Sequence, residues 1–267
     1  MDKRFSEQKV IYWDGLSRTV SSHKLLAEEP LSIRVQGKPY SVIMRTPGDE
    51  IAHVAGFCLG EGIADSPDDV GAIAFCDGSD TNVVTVTLTK HREEKIPRYA
   101  ERREFISQTS CGLCGKHVVE ELYQLIRPMK DGPCVDIRKC VRCLDELSLH
   151  QPLRRETRSA HAAAIFASDY ALLSVAEDVG RHNALDKAVG KLFLERKLGE
   201  ACFLVLSSRI SYELVQKTAR ARIPIIFAVS RPTALAVELA SRLNMTLACL
   251  AKKGGLYIFC GEERLKS

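Results

Sequence analysis

The spacing of apolar residues predicts an N-terminal portion built of strands and one helix. Residues 31–45, LSIRVQGKPYSVIMR, predict a hairpin that turns at Gln36–Pro39. GDEIAHVAGFCLGEGI then has apolar residues at the spacing of an amphipathic helix. Two further strands are predicted at Ala72–Cys76 and Val83–Thr89, the second alternating as a half-buried strand does.

From about residue 160, strand-like and helix-like runs alternate. The predicted strands are Ala171–Ala176, Cys202–Leu206, Ile223–Val229, Met245–Leu250 and Leu256–Cys260. Helical patterns lie between the first four, at Asn183–Lys197, Tyr212–Ala221 and Thr233–Leu243. This alternation predicts an α/β sheet that is at least partly parallel.

The chain therefore divides into three predicted portions. Residues 1–104 form an N-terminal α+β portion, 105–160 a mobile cysteine loop with a short helix, and 161–267 a C-terminal α/β ligand-binding portion. Within the middle portion, residues 128–158 are rich in Pro, Arg and Cys and show no clear period, which predicts a long functional loop.

Composition narrows the class of protein. The 267 residues are 45% hydrophobic and 27% charged, with a formal net charge of +4. This mildly basic balance is too weak to indicate nucleic acid, but it suits an anionic small ligand. With no long apolar run and no apolar signal-peptide core at the start, we expect a cytoplasmic protein without a membrane span. Ten cysteines in such a chain favour thiol chemistry or metal over a disulfide scaffold.

Cys111 and Cys114 come just before a predicted helix, Lys116–Arg127. The start of a helix has free N–H groups and the positive end of the helix dipole, and both favour thiolate over thiol. Gly112 and Gly115 leave room for a large partner beside the sulfur atoms. These features are typical of a reactive cysteine.

Three other interpretations of this pair stay open. A second pair, Cys140 and Cys143, follows after 25 residues, so the two pairs resemble a four-cysteine zinc site. A dithiol redox pair or inert thiols are also compatible with the spacing. A zinc deaminase is disfavoured, because Ala163 stands where its H-x-E motif after His161 needs glutamate. His161 then either contacts a ligand or is a satisfied histidine at a helix start.

Polar residues follow the first four predicted strands of the C-terminal portion, after Ala176, Leu206, Val229 and Leu250. In an open α/β sheet, ligands bind at the carboxyl ends of the strands, where helix starts and arginines favour phosphate. Serines there either bind phosphate or cap helices. The candidate ligand contacts are Asp178, Gly180, Arg181, His182, Ser207, Ser208, Arg209, Ser230 and Arg231, together with His161.

The acids Glu177 and Asp178 are candidates to receive ribose hydroxyls or the N–H edge of a guanine, and a salt-bridged loop is the alternative. The chain has neither a P-loop motif nor a dinucleotide fingerprint. A phosphate-bearing ligand is therefore predicted without a standard phosphate-binding motif.

Four strings resemble the FdhD family of formate dehydrogenase accessory sulfurtransferases: TSCGLCG, EDVGRHNALDK, LSSRISYELVQK and FAVSRPTALAVELA. GFCLGEGI and AHAAA fit as well, and the resemblance runs from about residue 28 to the C-terminus. The departure from the family is the set Cys134, Cys140 and Cys143, which does not belong to its motif.

The resemblance implies a function. Members pass sulfur from a cysteine desulfurase to the molybdenum cofactor of formate dehydrogenase, which they bind as bis(molybdopterin guanine dinucleotide); GDP is an expected mimic. Cys111 is implied to carry the persulfide and Cys114 to be a supporting thiol. The resemblance further implies a cytidine deaminase-like layered sheet and a homodimer. The implied cofactor-binding segment near the C-terminus comprises Phe259, Cys260, Gly261, Glu262, Glu263 and Arg264.

Two functional alternatives remain at this point. One is a non-catalytic chaperone that holds the cofactor and docks on the dehydrogenase without using its cysteines. The other is a zinc protein that uses both cysteine pairs.

Overall fold

The chain folds around a four-stranded and a six-stranded β-sheet, with helices between them. The computed structural model describes residues 2–77, 80–95, 126–130, 132–252 and 255–266. The first element is a separate antiparallel hairpin of β1 (Phe5–Trp13) and β2 (Arg18–Leu26). Sequence patterning did not predict this hairpin, because its side chains are mostly exposed on both faces and leave no buried stripe.

The N-terminal sheet has the strand order β4-β3-β6-β5. Its strands are β3 (Glu29–Val35), β4 (Lys38–Arg45), β5 (Val70–Asp77) and β6 (Asp80–Leu88). β3 and β4 form the predicted hairpin, and β6 pairs in parallel with β3. The predicted helix is α1 (Glu50–Glu61), and a short α2 (Lys90–Glu93) follows β6.

The six-stranded sheet has the order β13-β12-β11-β10-β8-β9. Its strands are β8 (His161–Phe166), β9 (Leu172–Asp178), β10 (Phe203–Leu206), β11 (Ile225–Ala228), β12 (Thr246–Leu250) and β13 (Leu256–Cys260). The neighbours β10, β11 and β12 are parallel. β8 is antiparallel to both β9 and β10, and β13 is antiparallel to β12. The prediction of a partly parallel sheet is confirmed.

Alternate residues of the six-stranded sheet enter two different apolar clusters. Leu204, Leu206 and Ile226 belong to the larger cluster, which also contains residues of α1 and of the four-stranded sheet. Phe203 and Val205 belong to the smaller cluster on the opposite face. The helices of the larger cluster are α5 (Arg181–Leu194), α6 (Tyr212–Arg220) and α7 (Ala234–Arg242). The core thus joins residues from the N-terminal and C-terminal predicted portions, whose boundaries stay predictions.

Helices α1 and α5 pack with their backbones in close contact. A Cβ atom on Gly190 would lie 1.7 Å from the carbonyl oxygen of Ala52, and one on Gly56 would lie 1.9 Å from that of Asp186. Only glycine permits such an approach at either position. This contact sets the position of α5 against the N-terminal sheet.

The prediction of a loop over residues 128–158 is wrong for most of that range. The structure has β7 (Val135–Asp136), α3 (Ile137–Glu146), a 3₁₀ turn (Leu147–His150) and α4 (Pro152–Thr157). The helix α3 packs on the sheet through Cys140, Cys143 and Leu144. Because two of these three buried residues are cysteines, the stripe was not recognised as apolar. Strand β7 pairs with β14 (Leu265–Lys266) near the end of the chain.

The remaining strand and helix predictions of the C-terminal portion are confirmed, apart from shifts of a few residues at their ends. One strand was missed, because β8 begins at His161, which the sequence placed at a helix start. Among the described residues, helices reach 14 residues at α5, and none has the length and apolar character that a membrane span requires.

Candidate functional site

The predicted ligand contacts that follow β9, β10 and β11 lie at one edge of the six-stranded sheet. Residues His161 and Asp178 are paired across β8 and β9, and the ends of β10 and β11 lie in register at the same edge. We call this edge the rim. It comprises His161, Asp178, Gly180, Arg181, His182, Ser207, Ser208, Arg209, Ser230 and Arg231.

Four cationic or imidazole side chains of the rim lie close enough to influence one another. Burial, together with Arg181 and Arg154, lowers the pKa of His161. Burial and the neighbouring Arg209 also lower the pKa of the Arg181 guanidinium. The Nδ1 atom of His161 and the Nε atom of Arg181 are buried without a hydrogen-bond partner among the described residues. Crowded positive charge and unsatisfied polar atoms are typical of a site that receives an anion.

His182 remains neutral at physiological pH. Burial, with help from Arg181 and other nearby cations, lowers its pKa to about 4. Its Nε2 atom lies 3.1 Å from the hydroxyl of Ser211 and 3.1 Å from the carboxylate of Glu213. The negative charge of Glu213 does little to raise the pKa of His182 again, because the Glu213 side chain is 63% exposed and water screens its charge. The positive charge of the rim therefore comes from its arginines.

Asp178 is engaged in contacts inside the protein, and its predicted contact with a ligand stays a prediction. Its side chain is fully buried. Its carboxylate accepts hydrogen bonds from the backbone N–H groups of Thr46 and Gly180 and from the Asn183 amide, and it forms a 2.7 Å ion pair with Lys187. All of its acceptor capacity is used inside the protein. Asp178 thus ties the end of β9 to α5 and to the N-terminal portion.

Gly180 has a steric role at the start of α5. A Cβ atom there would lie 2.7 Å from the Nδ2 atom of Asn183. That nitrogen donates hydrogen bonds to Asp178 and to the carbonyl oxygen of Met44. Gly180 therefore leaves space for the buried network, and its own N–H group is already used by Asp178.

Glu177 is also structural. Its carboxylate accepts hydrogen bonds from the backbone N–H groups of Leu153 and Arg154, at 2.7 and 2.9 Å. It therefore holds the first turn of α4 against β9, and its predicted contact with a ribose or guanine stays a prediction.

The rim serines differ in accessibility. Ser207 is half-buried, and its hydroxyl oxygen accepts a 2.8 Å hydrogen bond from the Ala162 N–H group. The buried Ser208 donates to the carbonyl oxygen of Arg209. Ser230 is exposed, and the exposed Arg231 lies 5.2 Å from the ring centre of Tyr257. These serines do not cap helices, because α6 begins after Ser211 and α7 after Thr233.

The C-terminal segment Phe259–Arg264 lies at the opposite edge of the sheet. Strand β13 runs antiparallel to β12, so Leu256 pairs with Leu250 at the rim and Cys260 pairs with Leu247 near the other end. At about 3.3 Å per residue, the length of β12 separates the two edges by roughly 13 Å. The two sets of predicted ligand contacts therefore lie at opposite ends of the strands, and their binding of one ligand stays a prediction.

Within this far-edge segment, Cys260, Gly261 and Arg264 make internal contacts, whereas Phe259, Glu262 and Glu263 are exposed. The Thr246 hydroxyl donates to the carbonyl oxygen of Gly261 at 2.6 Å, and the Cys260 thiol lies 3.4 Å from the carbonyl oxygen of Met245. Arg264 is buried and donates to the carbonyl oxygen of Lys130. A ligand role for Phe259, Glu262 and Glu263 stays a prediction.

The predicted sulfur carrier Cys111 and its neighbour Cys114 lie outside the described residues, as does most of the predicted helix after them. Of the second pair, Cys140 is fully buried, and burial raises its pKa to about 12. Burial raises the pKa of Cys143 too. The described part of the chain contains no cluster of three His, Cys, Asp or Glu side chains placed to hold a metal.

Sequence reasoning missed the contribution of Arg154. Its charge acts on His161, and its Nη1 atom donates to the carbonyl oxygen of Ala160 at 3.2 Å. The signal was present as the basic run PLRRETR, but the run was assigned to a loop with no defined position. The short helix α4 is what brings this arginine next to the rim.

Comparison with known proteins identifies similar chains over nearly the whole length. A model of the FdhD/NarQ family matches residues 26–266. Proteins described as sulfur carrier protein FdhD are similar to this chain: that of Streptomyces coelicolor is 39% identical and covers 90% of this chain and 88% of its own. The protein of Mycolicibacterium paratuberculosis is 38% identical, covering 97% and 98%, and that of Xanthomonas campestris is 34% identical, covering 94% and 88%.

A solved structure is similar in fold. The crystal structure of a candidate formate dehydrogenase accessory protein from Desulfotalea psychrophila superposes with a TM-score of 0.77. The sequence identity is 24%, and the match covers 98% of this chain and 99% of that one. At this identity the likeness bears on the fold alone.

Proposed function

The chain belongs to the FdhD/NarQ family, and from this premise we propose that it carries sulfur, as a persulfide on Cys111, from a cysteine desulfurase to the molybdenum cofactor used by formate dehydrogenase. The substrate is that cofactor in its bis(molybdopterin guanine dinucleotide) form. The observation that carries the proposal is the similarity, over about nine-tenths of the chain or more, to proteins described as sulfur carriers.

The rim supports an anionic substrate. Arg181 and Arg209 lie near enough to repel each other, and in the described residues neither forms an ion pair with a carboxylate. A pyrophosphate group would neutralise this charge and accept the fork-like hydrogen bonds of guanidinium groups. The exposed Ser230 and Arg231 extend the same edge toward solvent.

Loading requires a thiolate at Cys111. This thiolate attacks the outer sulfur of the desulfurase persulfide, a new S–S bond forms to Cys111, and the desulfurase cysteine leaves as its own thiolate. Cys114 is proposed as the supporting thiol of this step. A low thiol pKa at position 111 speeds the attack by raising the thiolate fraction at neutral pH.

The protein is further proposed to act as a homodimer with a cytidine deaminase-like layered fold. The cofactor has two guanine ends, and a two-fold pair of rims would receive one end each. Such a pair also offers a way to combine the rim of one subunit with the far-edge segment of another. Light scattering on the purified protein tests this, and a mass of one chain at micromolar concentration would contradict it.

Intact mass spectrometry after incubation with desulfurase and cysteine tests the carrier role. We expect an adduct of one sulfur atom that reducing agent removes, and we expect Cys111→Ala to abolish it. Cys76→Ala is the matched control, because Cys76 is an exposed thiol of the N-terminal sheet. An adduct that survives Cys111→Ala would contradict the proposal. Restoration of dehydrogenase activity by that variant would instead favour a cofactor-holding chaperone.

Calorimetric titration with GDP tests the rim separately. Arg209→Gln removes one charge-assisted hydrogen bond to phosphate, worth about 1.5–3 kcal/mol, so GDP affinity should fall by tenfold or more. Arg196→Gln is the control, because Arg196 is exposed beyond the far end of α5 and pairs with Asp68. Equal GDP affinity in both variants would contradict a phosphate site at the rim.

A further inference from the structure

A cleft lies between the 3₁₀ turn at Leu147–His150 and helix α4. It has a volume of about 310 Å³. Its lining residues share hydrogen-bond donor capacity, and no acidic side chain is among them: Ser148, Gln151, Arg154, Arg155 and Arg158. We call it the arginine cleft. Of its residues, Arg154 also lies beside the rim.

Gln151 in this cleft has an unsatisfied amide. The residue is only 4% exposed, and its Nε2 atom is buried with no hydrogen-bond partner among the described residues. A buried amide without a partner destabilises the folded state, so such groups are rare outside sites that meet a ligand. The position of Gln151 on the wall of the cleft means that an acceptor bound there can satisfy it.

The arginines of the cleft have no carboxylate partner in the described part of the chain. Two acidic residues that feel the charge of Arg155 are occupied elsewhere: Glu156 forms a 2.6 Å ion pair with Lys24, and Glu177 accepts the backbone N–H groups at the start of α4. Arg155 and Arg158 are exposed at the cleft. The guanidinium groups of Arg155 and Arg158 thus remain available to an external anion, whereas that of Arg154 already donates one hydrogen bond to the carbonyl oxygen of Ala160.

We propose that the arginine cleft binds the phosphate or pyrophosphate group of a small molecule, as a site separate from the phosphate-binding edge of the sheet. Guanidinium forks match the geometry of phosphate oxygens, and Ser148 and Gln151 add neutral donors. The cleft volume is about ten times the roughly 30 Å³ share of one water molecule in the liquid, which leaves room for a phosphoryl group and part of its substituent.

Inorganic pyrophosphate is the probe that tests this proposal. The titration is made by calorimetry at low ionic strength on Arg209→Gln protein, so that the rim contributes little heat. Adding Arg155→Gln and Arg158→Gln together should weaken pyrophosphate binding by at least about tenfold, since two charge-assisted hydrogen bonds are lost. Arg138→Gln is the matched control on the exposed face of α3, away from the cleft, and should leave the affinity unchanged.

The outcomes separate the two sites. The proposal is supported if Arg155→Gln and Arg158→Gln together reduce pyrophosphate affinity tenfold. In protein that keeps Arg209, the same two substitutions should leave GDP binding at the rim unaltered. Pyrophosphate binding that is undetectable at millimolar concentration, or that is equal in the cleft variants and in the Arg138→Gln control, overturns it. If the rim does not bind phosphate, Arg209→Gln will instead leave the affinity for GDP unchanged.

Gln151→Met gives a second, independent measurement. Methionine has a similar length but no donor, so pyrophosphate affinity should fall severalfold while the midpoint of thermal unfolding without ligand stays equal or rises. A fall in both quantities would show that Gln151 serves packing rather than an anion, and would overturn its part in the site.

Discussion

Replacement of Asp178 by asparagine tests the buried ion pair that positions the rim. Lys187 is 2% exposed, lies 2.7 Å from the Asp178 carboxylate and also donates to the carbonyl oxygen of Thr46. In Asp178→Asn the lysine charge loses its buried counterion. The new amide NH2 also directs donors at other donors, which are the Thr46 N–H group and Lys187 at one oxygen position, or the Gly180 N–H group and the Asn183 amide at the other.

The expected cost is large for a single substitution. Removing one partner of a buried ion pair typically destabilises a protein by about 3–5 kcal/mol. Total stabilities are roughly 5–15 kcal/mol, so this change removes a third or more of a typical value. We expect the urea midpoint of Asp178→Asn to fall accordingly, with an unchanged m-value if unfolding stays two-state.

The double variant Asp178→Asn with Lys187→Met distinguishes an ion pair from simple packing. Methionine fills much of the lysine volume without a charge, so the double variant should be at least about 2 kcal/mol more stable than the sum of the two single effects predicts. Glu238→Gln is the control, because its ion pair with Arg242 is half exposed on both sides and should cost less than about 0.5 kcal/mol. A cost below about 1 kcal/mol for Asp178→Asn, or strict additivity in the double variant, would refute this reasoning.

Three further predictions concern packing and titration. Gly190→Ala should lower the free energy of chemical unfolding by about 3 kcal/mol or more, because its Cβ would lie 1.7 Å from a carbonyl oxygen. Gly199→Ala is the control and should change that free energy little, because the space around Gly199 is open. Equal losses in the two variants would contradict the close helix contact. His182 has its pKa lowered to about 4 against about 6.5 in the unfolded chain, so it contributes stability above pH 6.5 that is lost as pH falls toward 4. Between pH 6.5 and pH 4, the unfolding free energy of the wild-type protein should therefore fall by up to about 3 kcal/mol more than that of His182→Asn. Identical pH profiles of the two proteins would count against the buried neutral imidazole. Iodoacetamide at pH 8 should label the exposed Cys76 but spare native Cys140, whose pKa is about 12, and peptide mapping that finds both labelled at similar rates would disprove the burial.

Local patterns in the sequence were sufficient for most of the C-terminal elements. Strands β9 to β13 are short apolar runs bounded by polar residues, and α5 to α7 have apolar residues at helical spacing, so each carries its signal within its own length. The hairpin of β3 and β4 was predicted for the same reason, with its turn at Gln36–Gly37. Helix α3 was not predicted from the sequence, because it packs through Cys140 and Cys143. Cysteines were interpreted as reactive residues, whereas in a core they pack as small apolar side chains.

The sequence by itself determined the family, the partly parallel sheet and the set of polar residues that follow the strands, because these depend on residue types and short spacings. Only the tertiary structure decided which of those residues are buried in internal contacts and which are exposed at the rim. Asp178 looks like a ligand contact from its place after β9, but Lys187 of α5 and the loop at Thr46 fold around its carboxylate. The segment after β13 belongs to the far edge because that strand runs antiparallel to β12. Strand direction and burial arise from contacts between residues that are distant in the chain. The spacing of neighbouring residues therefore does not predict them.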